Sequence, residues 1–240
     1  MEDINICGFM KLTLLDYPEH MACTVFTGGC NFRCPFCHNS ELLGKDTQPI
    51  MSTEELYEYL DKRAKQLEGI VFTGGEPTLH YMLPQIMKHI KDNYGLKIKL
   101  DTNGTNYQML SRLIRDGLVD YVAMDIKAGG YSNYMKAAGV WIDKQVWRNI
   151  VNSKDLLIES NEFSSEFRTT VVGGLHTKKD FEEIKDFIKG AKRYYLQSYV
   201  ESEQVLCKDK GFYSPSKKAL EEYAEIIKDS EGQVSIRGVD

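Results

Sequence analysis

The chain has 240 residues, 42% hydrophobic and 27% charged, which is the ordinary composition of a globular protein. No apolar run approaches the ~18–20 residues that span a bilayer, and the opening Met1-Glu-Asp-Ile-Asn lacks the basic flank and apolar stretch of a signal peptide, so no membrane role is expected. A net charge of −5 without a long basic tract argues against a dedicated nucleic-acid binder.

Residues 1–20 show little periodicity and read as an N-terminal extension. Residues 22–27 read as a strand, and Ser52-Thr-Glu-Glu55 then forms a capping box for a helix continued by Leu56, Tyr59, Leu60, Ala64 and Leu67. Residues 69–73 are a second strand, followed by a helix through Leu83, Ile86, Met87 and Ile90. A third strand (96–101) leads to a helix over 107–116 that stops at Gly117. A fourth strand (119–126) precedes a helix within 143–157. The fifth (167–172) is followed by Thr177-Lys-Lys-Asp180, which caps a helix carrying Phe181, Ile184 and Ile188. A sixth strand (193–199) gives way to an unpatterned stretch over 201–213. Ser214-Pro215 then opens a last helix, and residues 233–237 add a short final strand.

Strand–helix alternation means parallel strands joined by right-handed crossovers. Six repeats are too few for a complete eight-stranded barrel. The expectation is an α/β fold: an open, partial (β/α)6 TIM-like barrel, with a single domain over residues 1–240. Residues 1–20 are its extension, 21–200 its repeats, and 201–240 a C-terminal loop, helix and strand.

Six cysteines stand at positions 7, 23, 30, 34, 37 and 207, three of them within eight residues. Such clustering fits metal in a reducing cytoplasm better than a disulfide framework. Cys30-Asn-Phe-Arg-Cys34-Pro-Phe-Cys37 follows the first strand at its C-terminal end, where α/β barrels build their sites. A cubane cluster normally takes four thiolates, and this loop provides three, leaving one iron open to an outside ligand. A closed Cys3His zinc site using His38 is the alternative, although its spacing is unusual for zinc. Cys7, Cys23 and Cys207 are isolated and read as small buried hydrophobes.

Four strand tips carry further polar motifs. Thr73-Gly-Gly-Glu-Pro77 bares its backbone, so that carbonyls and Glu76 can receive an ammonium group; an ordinary turn is the alternative. Asp101-Thr-Asn-Gly104 and Met124-Asp-Ile-Lys127 end adjacent strands. Alternation puts Asp125 and Lys127 on one face, suited to a zwitterionic ligand, a small cation or a plain salt bridge. Arg168 sits early in the fifth strand, facing either this site or solvent.

Cys30, Cys34, Phe36 and Cys37 match the C-x3-C-x-aromatic-C signature, and together with the strand-tip motifs they make the chain resemble the radical S-adenosylmethionine superfamily. The resemblance implies a [4Fe–4S] cluster on Cys30, Cys34 and Cys37, with S-adenosylmethionine chelating the open iron. It implies that Gly74, Gly75 and Glu76 receive the methionyl amino group and that Phe36 lies near the adenine. Asp101, Thr102, Asn103, Asp125 and Lys127 match stretches surrounding the cofactor's carboxylate and a monovalent cation, the cation falling to Asp101, Thr102 and Asp125. Arg168 and, more weakly, Gln197 match further cofactor positions.

Cys37-His-Asn39 and the opening Gly8-Phe-Met-Lys-Leu-Thr-Leu-Leu-Asp-Tyr-Pro18 look most like glycyl-radical activating enzymes of the anaerobic ribonucleoside-triphosphate reductase type. Members of that group usually have glycine where this chain has Glu19. The resemblance implies reductive cleavage of S-adenosylmethionine to methionine and a 5′-deoxyadenosyl radical, which abstracts hydrogen from a glycine of a partner enzyme; the electron comes from a low-potential donor. By the same analogy, Asp16 contacts the partner's backbone, with a turn-capping role as the alternative. Two other readings stay open: a radical enzyme acting on a small molecule, as in deazapurine biosynthesis, and a metal-stabilised binding protein without turnover.

Overall fold

A computed structural model describes residues 3–44, 47–228 and 232–238, and places eight strands in one sheet in sequence order. The strands are β1 (Ile6–Thr13), β2 (Ala22–Thr27), β3 (Gly69–Gly74), β4 (Lys97–Thr102), β5 (Tyr121–Asp125), β6 (Ser164–Val171), β7 (Arg193–Ser198) and β8 (Gln233–Arg237). The helices are α1 (Thr53–Arg63), α2 (Leu83–Tyr94), α3 (Tyr107–Arg115), α4 (Tyr131–Ala138), α5 (Lys144–Glu159), α6 (Lys178–Phe187) and α7 (Lys217–Lys228). Neighbours from β2 to β8 pair in parallel, and β1 and β8 form the two edges. The sheet is therefore an open partial barrel with six strand–helix repeats. Met1 and Glu2, on which the signal-peptide expectation partly rested, lie outside the described residues. None of the described helices is long and apolar enough to cross a membrane.

Alternate strand residues face opposite sides. Cys23, Val25, Ile70, Phe72, Ile98, Leu100, Val122 and Met124 form the main core with Leu56, Leu60, Ile86, Met87, Ile90, Leu110 and Leu113 of the helices. The other face bounds the barrel interior. At its base Ala22, Val71, Tyr121 and Ala123 make a separate small cluster with Tyr17. Lys99, Asp101, Asp125 and Arg168 share that face, as the register Lys99↔Tyr121, Asp101↔Ala123 and Asp125↔Arg168 requires. Glu166, the partner of Ala123 on this face, is fully buried, accepts from the Tyr121 hydroxyl and pairs with Arg237, so its charge is answered within the sheet below the charged strand tips.

Local signals act as expected at most helix starts. The Ser52 hydroxyl accepts from the Glu55 amide while the Glu55 carboxylate accepts from the Ser52 amide. The last helix begins at Lys217, where Ser216 accepts from the Ala219 amide, two residues later than Pro215 suggested. The short α4 was not foreseen.

The extension over 1–20 is the main departure. It contributes β1, which pairs antiparallel with β2 through two register shifts that break the period of two. It then folds Tyr17, 2% exposed, under the sheet against Tyr121, with ring centroids 5.8 Å apart. Gly69 makes this possible, because a Cβ there would stand 2.8 Å from the Tyr17 ring. Glu19 takes φ +65°, the left-handed turn conformation that glycine adopts at no steric cost. The turn thus keeps the conformation and forgoes the residue. The Asp16 carboxylate accepts from the Thr24 hydroxyl of β2 at 2.6 Å, while the Thr13 hydroxyl caps the Leu15 and Asp16 amides of the turn. Of the isolated cysteines, Cys23 is fully buried in the main core, while Cys7 and Cys207 are half-buried.

Tyr17→Ala should cost about 3 kcal/mol through the cavity it leaves. Gly69→Ala should also destabilise, but the two together should cost less than their sum, because the added methyl then meets no ring. Urea unfolding of the three variants checks both statements.

Candidate active site

The cysteine loop is held by neighbouring backbone. Gly28 N–H donates to Asn5 O at 2.8 Å and Gly29 N–H to Leu42 O at 2.7 Å. From the β3 tip, Gly75 N–H donates to Thr27 O at 2.8 Å and Glu76 N–H to Gly29 O at 2.9 Å. A Cβ on Gly75 would lie 2.1 Å from Gly29 O, and one on Gly74, at φ +113°, 2.4 Å from Thr27 N. The two glycines are therefore needed to seat the β3 tip against the loop that carries Cys30. This is a structural demand which the sequence had suggested only as room for a ligand.

Cys30, Cys34 and Cys37 rim one cleft enclosing about 830 Å³ of non-protein space, part of it open to solvent. Phe36, Thr73, Gly74, Gly75, Glu76, Asp101, Thr102, Asn103, Asp125, Lys127 and Arg168 line it too, so nearly every residue singled out in the sequence converges there. Gln197 does not line the cleft; it pairs with Thr170, which does. Burial pushes the Cys30 thiol up to about 12 and that of Cys34 up to about 11, with Lys127 pulling both downward. Among the described residues, no three His, Cys, Asp or Glu side chains are grouped as ligands of a single ion. His38, the fourth donor of the zinc alternative, has its Nε2 2.5 Å from Val200 O.

Glu76 is the hub. It is 1% exposed, and its carboxylate accepts from Thr78 N (3.2 Å), Thr78 Oγ1 (2.5 Å), Thr102 Oγ1 (2.7 Å) and Asn103 N (2.7 Å). Burial raises its pKa, and these hydrogen bonds lower it. Among the described residues no basic side chain forms an ion pair with it, so a ligand ammonium would be the missing partner. Asn103 carries the coupling further by donating to Asn31 of the cysteine loop at 2.8 Å.

Opposite stand two carboxylates and three cations. Arg168 bridges Asp125 (Nε–Oδ1 2.6 Å) and Asp101 (Nη2–Oδ2 3.1 Å). Lys127 pairs with the second oxygen of Asp125 at 2.9 Å, and Lys99 with the second oxygen of Asp101. Burial alone would raise both carboxyls. Arg168 reverses this, helped by Lys99 at Asp101 and by Lys127 at Asp125, and holds both below the usual carboxylate range. The surplus positive charge suits a ligand carboxylate. Lys99 was not singled out, although its place two residues before Asp101 was the available signal. The sodium- or potassium-like cation expected at Asp101, Thr102 and Asp125 would meet groups already engaged.

Part of the stretch 201–213, unpatterned in sequence, runs as a strap along the cysteine loop. Leu206 N–H donates to Cys37 O at 3.2 Å and Cys207 N–H to Pro35 O at 2.9 Å, while Ser40 Oγ donates to Gln204 O at 2.5 Å.

The site's donor set fits a cluster and a zwitterionic sulfonium: three thiols on one rim, a buried carboxylate short of a cation, and a cationic surplus opposite. The family model of the radical SAM superfamily matches residues 24–188. The chain belongs to the radical SAM superfamily. Its cofactors are accordingly a [4Fe–4S] cluster and S-adenosylmethionine. A protein of Methanocaldococcus jannaschii named "Putative glycyl-radical enzyme activating enzyme" is 30% identical over 98% of this chain and 96% of its own length. A "Probable GTP 3',8-cyclase" of Sulfurisphaera tokodaii is 27% identical over 68% of this chain and 49% of its own. In fold, this radical SAM protein is similar to Streptococcus suis SuiB bound to S-adenosylmethionine, with a TM-score of 0.66 at 14% identity over 87% of this chain and 48% of that one. It thus spans about half the length of the cyclase and of SuiB.

If the strap steadies the cysteine loop, Leu206→Pro, which deletes the donor to Cys37 O, should raise amide exchange across residues 34–40 about fivefold, the equivalent of about 1 kcal/mol. Leu206→Ala, which keeps the N–H, should leave exchange unchanged. Hydrogen-exchange mass spectrometry on the cluster-free protein reads both.

Proposed function

We infer that this radical SAM enzyme generates a glycyl radical on a partner enzyme. The observation that carries the reading is the match along almost the whole of both chains to the M. jannaschii protein, which includes the N-terminal segment outside the family core. An open barrel supports it, because a loop of another protein can reach a cleft that is not roofed by the sheet. The cyclase relatives favour a small-molecule substrate as the second reading, but each of those named covers no more than about two thirds of this chain.

Cys30, Cys34 and Cys37 would each hold one iron of the cluster, and their number leaves the fourth iron for the methionine part of the cofactor. Glu76 and the carbonyls beside Gly74 and Gly75 would receive the amino group, with Lys127 and Arg168 facing the carboxylate. Phe36, 4% exposed, would form an apolar wall for the adenine. When bound and reduced, the cluster supplies the electron that cleaves S-adenosylmethionine to methionine and a 5′-deoxyadenosyl radical. The chain binds, orients and excludes water. The chain's part in abstracting hydrogen from a partner glycine would be placement alone, since no acid–base step would be required of its side chains. A low-potential donor supplies the electron.

Cys34→Ala should lose the cluster while keeping the fold, so iron content and the electron paramagnetic resonance signal should fall away as circular dichroism stays unchanged. Full iron content in that variant would show the ligand assignment to be wrong. The reconstituted, reduced protein mixed with candidate glycyl-radical enzymes should yield a glycine-centred doublet on one of them. S-adenosylmethionine cleavage without a doublet on any, but with turnover of a nucleotide, would favour the second reading.

A further inference from the structure

We propose that the protein supplies its own cation where a sodium or potassium ion was expected: the Lys99 ammonium, with Arg168 and Lys127, neutralises Asp101 and Asp125, and cofactor binding needs no monovalent metal ion. The inference rests on the assignment of this cleft to S-adenosylmethionine, though not on the identity of the partner.

The geometry is a closed set. Two carboxylates offer four oxygens, and each oxygen meets a charged N–H donor. At Asp101, Oδ1 pairs with Lys99 Nζ and Oδ2 lies 3.1 Å from Arg168 Nη2. At Asp125, Oδ1 lies 2.6 Å from Arg168 Nε and Oδ2 2.9 Å from Lys127 Nζ. Thr102, the third expected ligand, donates its hydroxyl to Glu76 and accepts from Gly104 N–H at 3.1 Å. A metal ion entering here would add a fourth positive charge beside three fixed ones, at short range and with little solvent to screen them.

Lys99 is the residue that makes the difference. It is 2% exposed, on the inward face of β4, with Nζ 5.9 Å from the centre of the Tyr121 ring. Its head lies beside the Tyr121 ring and is turned to Asp101. A lysine buried this deeply is costly unless paired, and Asp101 is its ion-pair partner. Arg168 and Lys127 belong to the expected cofactor set, whereas Lys99 is additional. It is a positioning residue: it fixes the charge and rotamer of Asp101, and through Arg168 the group that faces the cofactor's carboxylate.

The test compares wild type, Lys99→Met and Lys99→Arg in tetramethylammonium buffer and in 100 mM sodium or potassium chloride. Reconstituted wild type should bind S-adenosylmethionine with an affinity that changes less than twofold between these buffers, as should Lys99→Arg. Lys99→Met should bind about tenfold more weakly in tetramethylammonium and recover most of that loss with sodium or potassium. In the cluster-free proteins, only Lys99→Met should gain thermal stability and broaden the ²³Na resonance when sodium is added. A tenfold or larger cation requirement in wild type would overturn the proposal, as would a Lys99→Met protein that matches wild type in every buffer. If Lys99→Met does not fold, the wild-type comparison decides alone. Wild type that binds no S-adenosylmethionine would instead count against the cleft assignment, and the cluster-free measurements on wild type would still decide the cation question.

Discussion

The bridging of Asp101 and Asp125 by Arg168 is the constraint from which the site's arrangement follows. Two carboxylates at neighbouring strand tips repel each other once water is thinned out. One guanidinium lying across both removes that conflict and ties β4, β5 and β6 together at the height of the cleft. Parallel register makes this possible, because Asp125 and Arg168 are direct partners and Asp101 lies one strand further along. The cationic side of the cleft is therefore fixed by the sheet itself rather than by flexible loops.

The opposite side is assembled by loops, and there the precision comes from backbone. Gly74 and Gly75 leave no room for side chains between the β3 tip and the cysteine loop, so main-chain hydrogen bonds bring the two together. Glu76 then gathers Thr78, Thr102 and Asn103, and Asn103 reaches Asn31. Holding the cysteine loop by its backbone leaves the thiols available on the rim.

Much of this was legible in advance, because strand tips marked by cysteines, glycines and paired charges sit where a parallel barrel must converge. Cys30, Cys34, Cys37, Glu76, Asp101, Lys127 and Arg168 all arrive in one cleft. What escaped has a common character. The period of β1 is broken by bulges, the strap is tied by backbone donors that any residue supplies, and Tyr17 docks far from its neighbours in sequence. Lys99 was not singled out, although the strand's period of two puts it on the face of Asp101. Gln197 was placed by analogy alone, and its side of the barrel lies outside the cleft lining.

The seating of Tyr17 also bears on how the chain folds. β1 and β2 are neighbours in sequence and can pair as soon as both exist. Tyr17 rests on Tyr121, so its niche does not exist until β5 has been added to the sheet. Closing so long a loop is entropically expensive and slow. The segment that carries β1 and Tyr17 is thus among the last to find its place, and until then Gly69 marks a gap at the foot of the barrel.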